Sequence, residues 1–229
     1  MLSRWGIEFE DINVRLDAEA RAELERRNIP WVPATLRGER HVHGWNPAAL
    51  AELVGVPYDD TPALVPAELV ERLDTVLYHT QHLVKGLSSA ALALNHPGRD
   101  RDLADLVFHI YRVGRSFPDC LDQGQFPHAW LEATPSAEDR NGLSLFRTGE
   151  ETRQHLTQWF SKSSSEVYEQ PANTYYGEQR AFELLERTTW HAGQHLRQIH
   201  DLLEQDGQLQ PGSLPMELFE SLPMPEAIW

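Results

Sequence analysis

The chain has 229 residues, long enough for one large domain or two small ones. Its formal charge of −15, with no clustered basic patch, argues against a nucleic-acid partner, because so acidic a surface repels phosphate backbones. A single cysteine, Cys120, excludes an internal disulfide, a CxxC redox pair and a cysteine-built zinc site, so metal chemistry would run on imidazole and carboxylate, and the chain holds eleven histidines.

Met1–Ile7 shows neither a basic leader nor an apolar signal core, and no apolar run approaches the roughly 18–20 residues of a membrane span. The expectation is a soluble cytoplasmic protein with no membrane partner. Residues 7–14 alternate apolar and polar side chains, which predicts a half-buried strand. Asp17 is placed to cap a helix over 18–27. Residues 31–36 predict a second strand, 37–40 a turn and 41–44 a third strand. Asn46 then caps a short helix over 47–54, giving the order β-α-β-β-α for residues 1–56.

Gly6 through Val14, the Val32-Pro33 pair and Gly38 through Gly44 resemble the later part of a glutaredoxin. That resemblance implies a partial thioredoxin-like α/β segment with a cis Val32–Pro33 peptide, and Val32 and Pro33 as a thiol-binding loop. The strand and helix that carry the CPxC motif in that family are missing here, which argues for a structural module over a disulfide reductase.

Residues 57–66 hold three prolines and predict a linker. Beyond it the apolar period becomes helical. Leu69, Leu73, Val76, Leu77, Leu83 and Leu87 predict a first helix running to about residue 94. A second starts near residue 100 with Leu103, Leu106, Val107, Ile110 and Val113, and is expected to stop before Pro118. After a long polar stretch, a third helix is expected over 148–161 and a fourth from near Gly177 to Gln205. This predicts a mainly α protein, with a four-helix bundle over 67–206. The proline-rich tail, 207–229, is expected to run extended over the surface.

His191 and His195 stand at i and i+4 on the fourth helix, stacked one above the other and able to share one ion. Eleven histidines yield roughly 0.5 such pairs by chance, so the pair needs support from its position. Apolar neighbours on the same helix turn it inward, and buried imidazoles are costly unless paired or metal-bound. His109 sits in the apolar middle of the second helix. These segments, Asp105 through Ile110 and Trp190 through Ile199, resemble the DinB-like family of four-helix metalloproteins. The resemblance implies His109, His191 and His195 as ligands of a divalent metal, and a homodimer.

Three neutral imidazoles leave coordination positions open, as a catalytic site does. Zinc suits them best; nickel, iron and manganese also fit. An open position takes water or a thiol and lowers its pKa. No glutamate follows His191, so the HExxH base of zinc peptidases is absent. Relatives in the DinB-like family include thiol-dependent S-transferases and an isomerase. With the glutaredoxin-like segment, this points to an enzyme that activates a low-molecular-weight thiol, glutathione being the natural one, toward a small electrophile. The alternatives are a hydrolase that uses metal-bound water and a non-catalytic metal-binding stress protein. His82, Arg112, Tyr78 and Trp190 are the candidate substrate contacts; each has an ordinary reading as a polar, ion-paired or core residue. His79 lies three residues before His82, and His41 and His43 share a strand face, with no third ligand in either case. Arg197 and His200 are expected on a solvated face, and Cys120 as a passive thiol.

Overall fold

The computed structural model describes residues 1–14, 16–59, 61–97 and 99–229, so Asp60 of the expected linker lies outside the described residues. The chain divides into two compact units, Met1–Pro62 and Ala63–Trp229.

In the first unit, helix α1 (Ala18–Arg26) starts where Asp17 accepts hydrogen bonds from the amides of Glu19 and Ala20, both at 2.9 Å. Strands β1 (Ala34–Arg37) and β2 (Arg40–His43) form an antiparallel hairpin pairing Ala34 with His43 and Arg37 with Arg40. Helix α2 (Pro47–Val54) is capped by Asn46, whose side chain accepts from the Ala49 amide at 2.9 Å. The expected strand over 7–14 is absent. An alternating segment needs a neighbouring strand to satisfy its amides, and the described strands of this unit pair only with each other. Phe9 and Ile12 of that segment are exposed instead. The Val32–Pro33 peptide is cis, as the glutaredoxin resemblance implies. A two-stranded hairpin stands in place of a thioredoxin-like sheet.

The second unit is a bundle of four long helices: α3 (Pro66–Val84), α5 (Leu103–Gln123), α7 (Gly142–Lys162) and α8 (Ala181–Gln205). Each of α3 and α5 packs on both α7 and α8. Two short helices, α4 (Ser89–Leu92) and α6 (Ala129–Glu132), lie in the connections. Leu69, Leu73, Val76 and Leu77 from α3 meet Leu106, Val107, Ile110 and Val113 from α5, all buried, as their helical spacing predicts.

Four boundaries depart from expectation. The first helix ends at Val84, and the last turns toward residue 94 form the separate α4. Helix α5 continues through Pro118 to Gln123. The missing proline N–H is a local cost, and it is outweighed because Phe117 and Cys120, on either side of it, are fully buried. Helix α7 starts at Gly142, where the Asn141 side chain accepts from the Ser144 amide at 2.9 Å. Before α8 the chain makes an unforeseen hairpin, β3 (Pro171–Thr174) with β4 (Gly177–Arg180). Gly177, expected to open the helix, has φ of 119° and serves the turn instead. The tail also differs: Leu218, Phe219, Leu222 and Met224 are buried against the bundle. Apolar side chains among its prolines draw it into the core.

Gly142 is a close-contact position. A Cβ there would lie 2.6 Å from the Val84 carbonyl oxygen, which is backbone and cannot swing aside. Gly142→Ala is expected to destabilise the protein by about 1–3 kcal/mol, read as a lower urea midpoint. A midpoint that rises, as alanine ordinarily gives in a helix, would show that the contact is looser than described.

Candidate metal centre

His109 comes from the middle of α5, and His191 and His195 from successive turns of α8, the helix packed beside it. The three rings face one another, with centroids 5.3 Å apart for His109–His191, 4.7 Å for His109–His195 and 4.8 Å for His191–His195. One ring nitrogen from each lies within 4.8 Å of the others. His109 is buried, and His191 and His195 are half-buried.

Hydrogen bonds divide the nitrogens of His195 and His109 between two tasks. His195 Nδ1 donates to the Gln198 side-chain oxygen at 2.7 Å, leaving Nε2 as the acceptor. Gln198 is held in turn, its amide nitrogen donating to the Ile228 carbonyl at 2.7 Å. His109 bonds to the backbone of Leu131 in α6 through one nitrogen. The Leu131 carbonyl also accepts from Arg101 at 2.5 Å. What remains is Nδ1 of His109, Nδ1 of His191 and Nε2 of His195, all buried and all without a hydrogen-bond partner. A buried polar nitrogen left unpaired is costly, and three imidazoles that can each bring a nitrogen within 4.8 Å of the others are a donor set for a divalent cation. These residues fit a metal.

Electrostatics agrees. Burial pushes His109 and His191 well below the ordinary imidazole pKa, and neighbouring cations add to it. Burial lowers His195 to about 4, opposed by its bond to Gln198. All three rings are therefore neutral at pH 7, the form that binds metal.

The other sequence candidates fall in different places. Trp190 lies beside the centre, its ring 5.7 Å from that of His191. Arg112 is ion-paired to Asp119 at 2.7 Å and stacks over Trp130. Tyr78 and His82 stack on each other at 4.0 Å on α3, with Arg153 over the Tyr78 ring. His82 and Arg153 line a groove of about 400 Å³ shared with Phe146 of α7, whose lining includes none of the three ligands. Val32 and Pro33 belong to the first unit. The solvated face expected for Arg197 and His200 is not found. Arg197 donates to the Pro225 carbonyl at 2.7 Å, and His200 is buried. Cys120 is buried, its thiol pushed up to about 11 by desolvation, which suits a passive residue. Gln198, Leu131 and Arg101 escaped sequence reasoning. Only Gln198, one turn after His195, carried a local signal.

No protein-family model and no curated protein matches the sequence. Among solved structures, the chain is similar to YfiT from Bacillus subtilis, described as a probable metal-dependent hydrolase with an unusual four-helix bundle topology. The identity is 15%, the TM-score 0.49, and the match covers 67% of this chain and 96% of that one.

Neutral buried histidines make the metal-free protein acid-sensitive. Their folded pKa values lie below the unfolded value of about 6.5, so on acidification the unfolded chain takes up protons first. Stability is fully present above about pH 6.5 and falls as pH drops toward 4, about tenfold in the folding constant per pH unit for each such ring. Urea melts of metal-free protein from pH 7.5 to 4.5 should show this decline. A flat profile would mean that the imidazoles are not held neutral.

Proposed function

We propose that the bundle is a metal-dependent hydrolase whose centre is held by His109, His191 and His195. The observation that carries this reading is that His109, His191 and His195 each bring a ring nitrogen within 4.8 Å of the others, and that each ring holds a buried nitrogen without a hydrogen-bond partner. When bound, the ion supplies Lewis acidity and makes water a nucleophile near neutral pH. Three imidazoles leave the tetrahedral set incomplete, as in catalytic rather than structural zinc sites. The protein's own part is orientation. Gln198 fixes the tautomer and plane of His195, and Leu131 does the same for His109. Burial of His109 by the apolar residues around it keeps bulk water from that side.

Water as the nucleophile needs no further recognition element, which is why hydrolysis is preferred over the thiol chemistry that the sequence resemblances imply. That second reading uses the same centre, with glutathione or another small thiol in place of water and a small electrophile as its target. Zinc-reconstituted protein assayed on a panel of activated esters and amides, with and without glutathione, separates the two. The expected result is turnover without thiol, about 100-fold lower in His195→Ala. Turnover that appears only with glutathione would overturn hydrolysis and favour transfer.

A further inference from the structure

Arginines stand close enough to the three imidazoles to disfavour their protonation. Arg101 acts on all three, Arg187 on His109 and His191, and Arg99 on His195. Arg187 is the unusual member. It lies one turn before His191 on α8 and is only 7% exposed. Its Nη2 donates to the Tyr175 hydroxyl at 2.9 Å, and its guanidinium lies 4.7 Å over the Tyr176 ring. Both tyrosines come from the turn of the β3–β4 hairpin.

No carboxylate forms an ion pair with Arg187 among the described residues. Arg112, Arg140 and Arg153 are all more exposed, yet each holds an aspartate: Asp119, Asp102 with Asp105, and Asp74. A buried guanidinium without a counter-charge is expensive. A divalent ion on three neutral imidazoles would add two further positive charges beside it. No carboxylate of the described residues supplies the counter-charge, which leaves the guanidinium suited to an anion that enters the site.

We propose that Arg187 is a specificity-determining residue that binds a carboxylate on the substrate, beside the metal-held reacting group. The inference rests on the three-histidine centre proposed above and adds the substrate class: small molecules with a reactive group at one end and a carboxylate at the other. Tyr175 and Tyr176 hold one edge and one face of the guanidinium, and the fork's remaining donors match the two oxygens of a planar carboxylate.

The test uses cobalt-substituted protein and three metal-binding probes: acetohydroxamate, succinate monohydroxamate and glutarate monohydroxamate. The two last carry a distal carboxylate at different reach. Visible absorption reads binding, and elemental analysis of the same samples reads metal content. One of the carboxylate probes is expected to bind wild-type protein at least about tenfold tighter than acetohydroxamate. That advantage should vanish in Arg187→Gln and survive in part in Arg187→Lys, with cobalt content unchanged in both. If Arg187→Gln does not fold, the wild-type comparison and Arg187→Lys decide. Equal affinities in the wild type, or an advantage that persists without the arginine, overturn the inference alone. A protein that takes up no cobalt overturns the centre itself, and this inference with it.

Discussion

Three imidazoles turned toward one another in a helix bundle are a constraint that the remaining structure must serve. Each carries a buried nitrogen with no partner among the described residues, and each such group costs on the order of 1–3 kcal/mol. Apolar side chains of the same volume would pack there at no such cost. A fold that keeps the three together gains from them only when a cation is bound. Much of the second unit can be understood as the scaffold that makes such binding favourable, because it fixes the rings before the ion arrives.

The scaffold has two layers. Helices α5 and α8 pack side by side, so that the middle of one faces successive turns of the other. Around them, segments outside the four long helices aim the rings. Helix α6 supplies the backbone of Leu131 to His109. The tail supplies the Ile228 carbonyl, which holds both Gln194 and Gln198, and through Gln198 it steadies His195. Gly193, between the two α8 ligands, makes room for the tail: a Cβ there would lie 3.1 Å from the Phe219 ring. Glycine inside a helix costs about 1 kcal/mol relative to alanine, and here the bare backbone lets Phe219 and Met224 close on α8.

The bundle and the clustering of its three histidines are largely legible in the sequence, for a physical reason. Helical periodicity is a local signal, and Leu69, Leu73, Val76 and Leu77 or Leu106, Val107 and Ile110 write it plainly. The His191–His195 spacing is local too, and His109 is recognisable by its apolar surroundings. Pro118 and Gly177 misled because their local preferences met tertiary demands: Phe117 and Cys120 hold a helix through the proline, and a hairpin claims the glycine. The strand expected over residues 7–14 failed because alternation states which face is buried but cannot supply a partner strand. The orienting contacts were illegible, since Leu131 and Ile228 act through backbone carbonyls, which every residue possesses. Arg187 carries no local signal, because its burial and its tyrosine contacts depend on the β3–β4 hairpin.

On the proposed function, His109, His191 and His195 hold the metal with no further ligand from the described residues, and one position stays open to solvent. X-ray absorption at the zinc edge of the reconstituted protein reads that shell. Three imidazole nitrogens and at least one light non-imidazole ligand are expected at about 2.0–2.2 Å, with one imidazole lost in His109→Ala. A shell of four protein ligands with no exchangeable position, or one unchanged in that variant, would contradict the proposal.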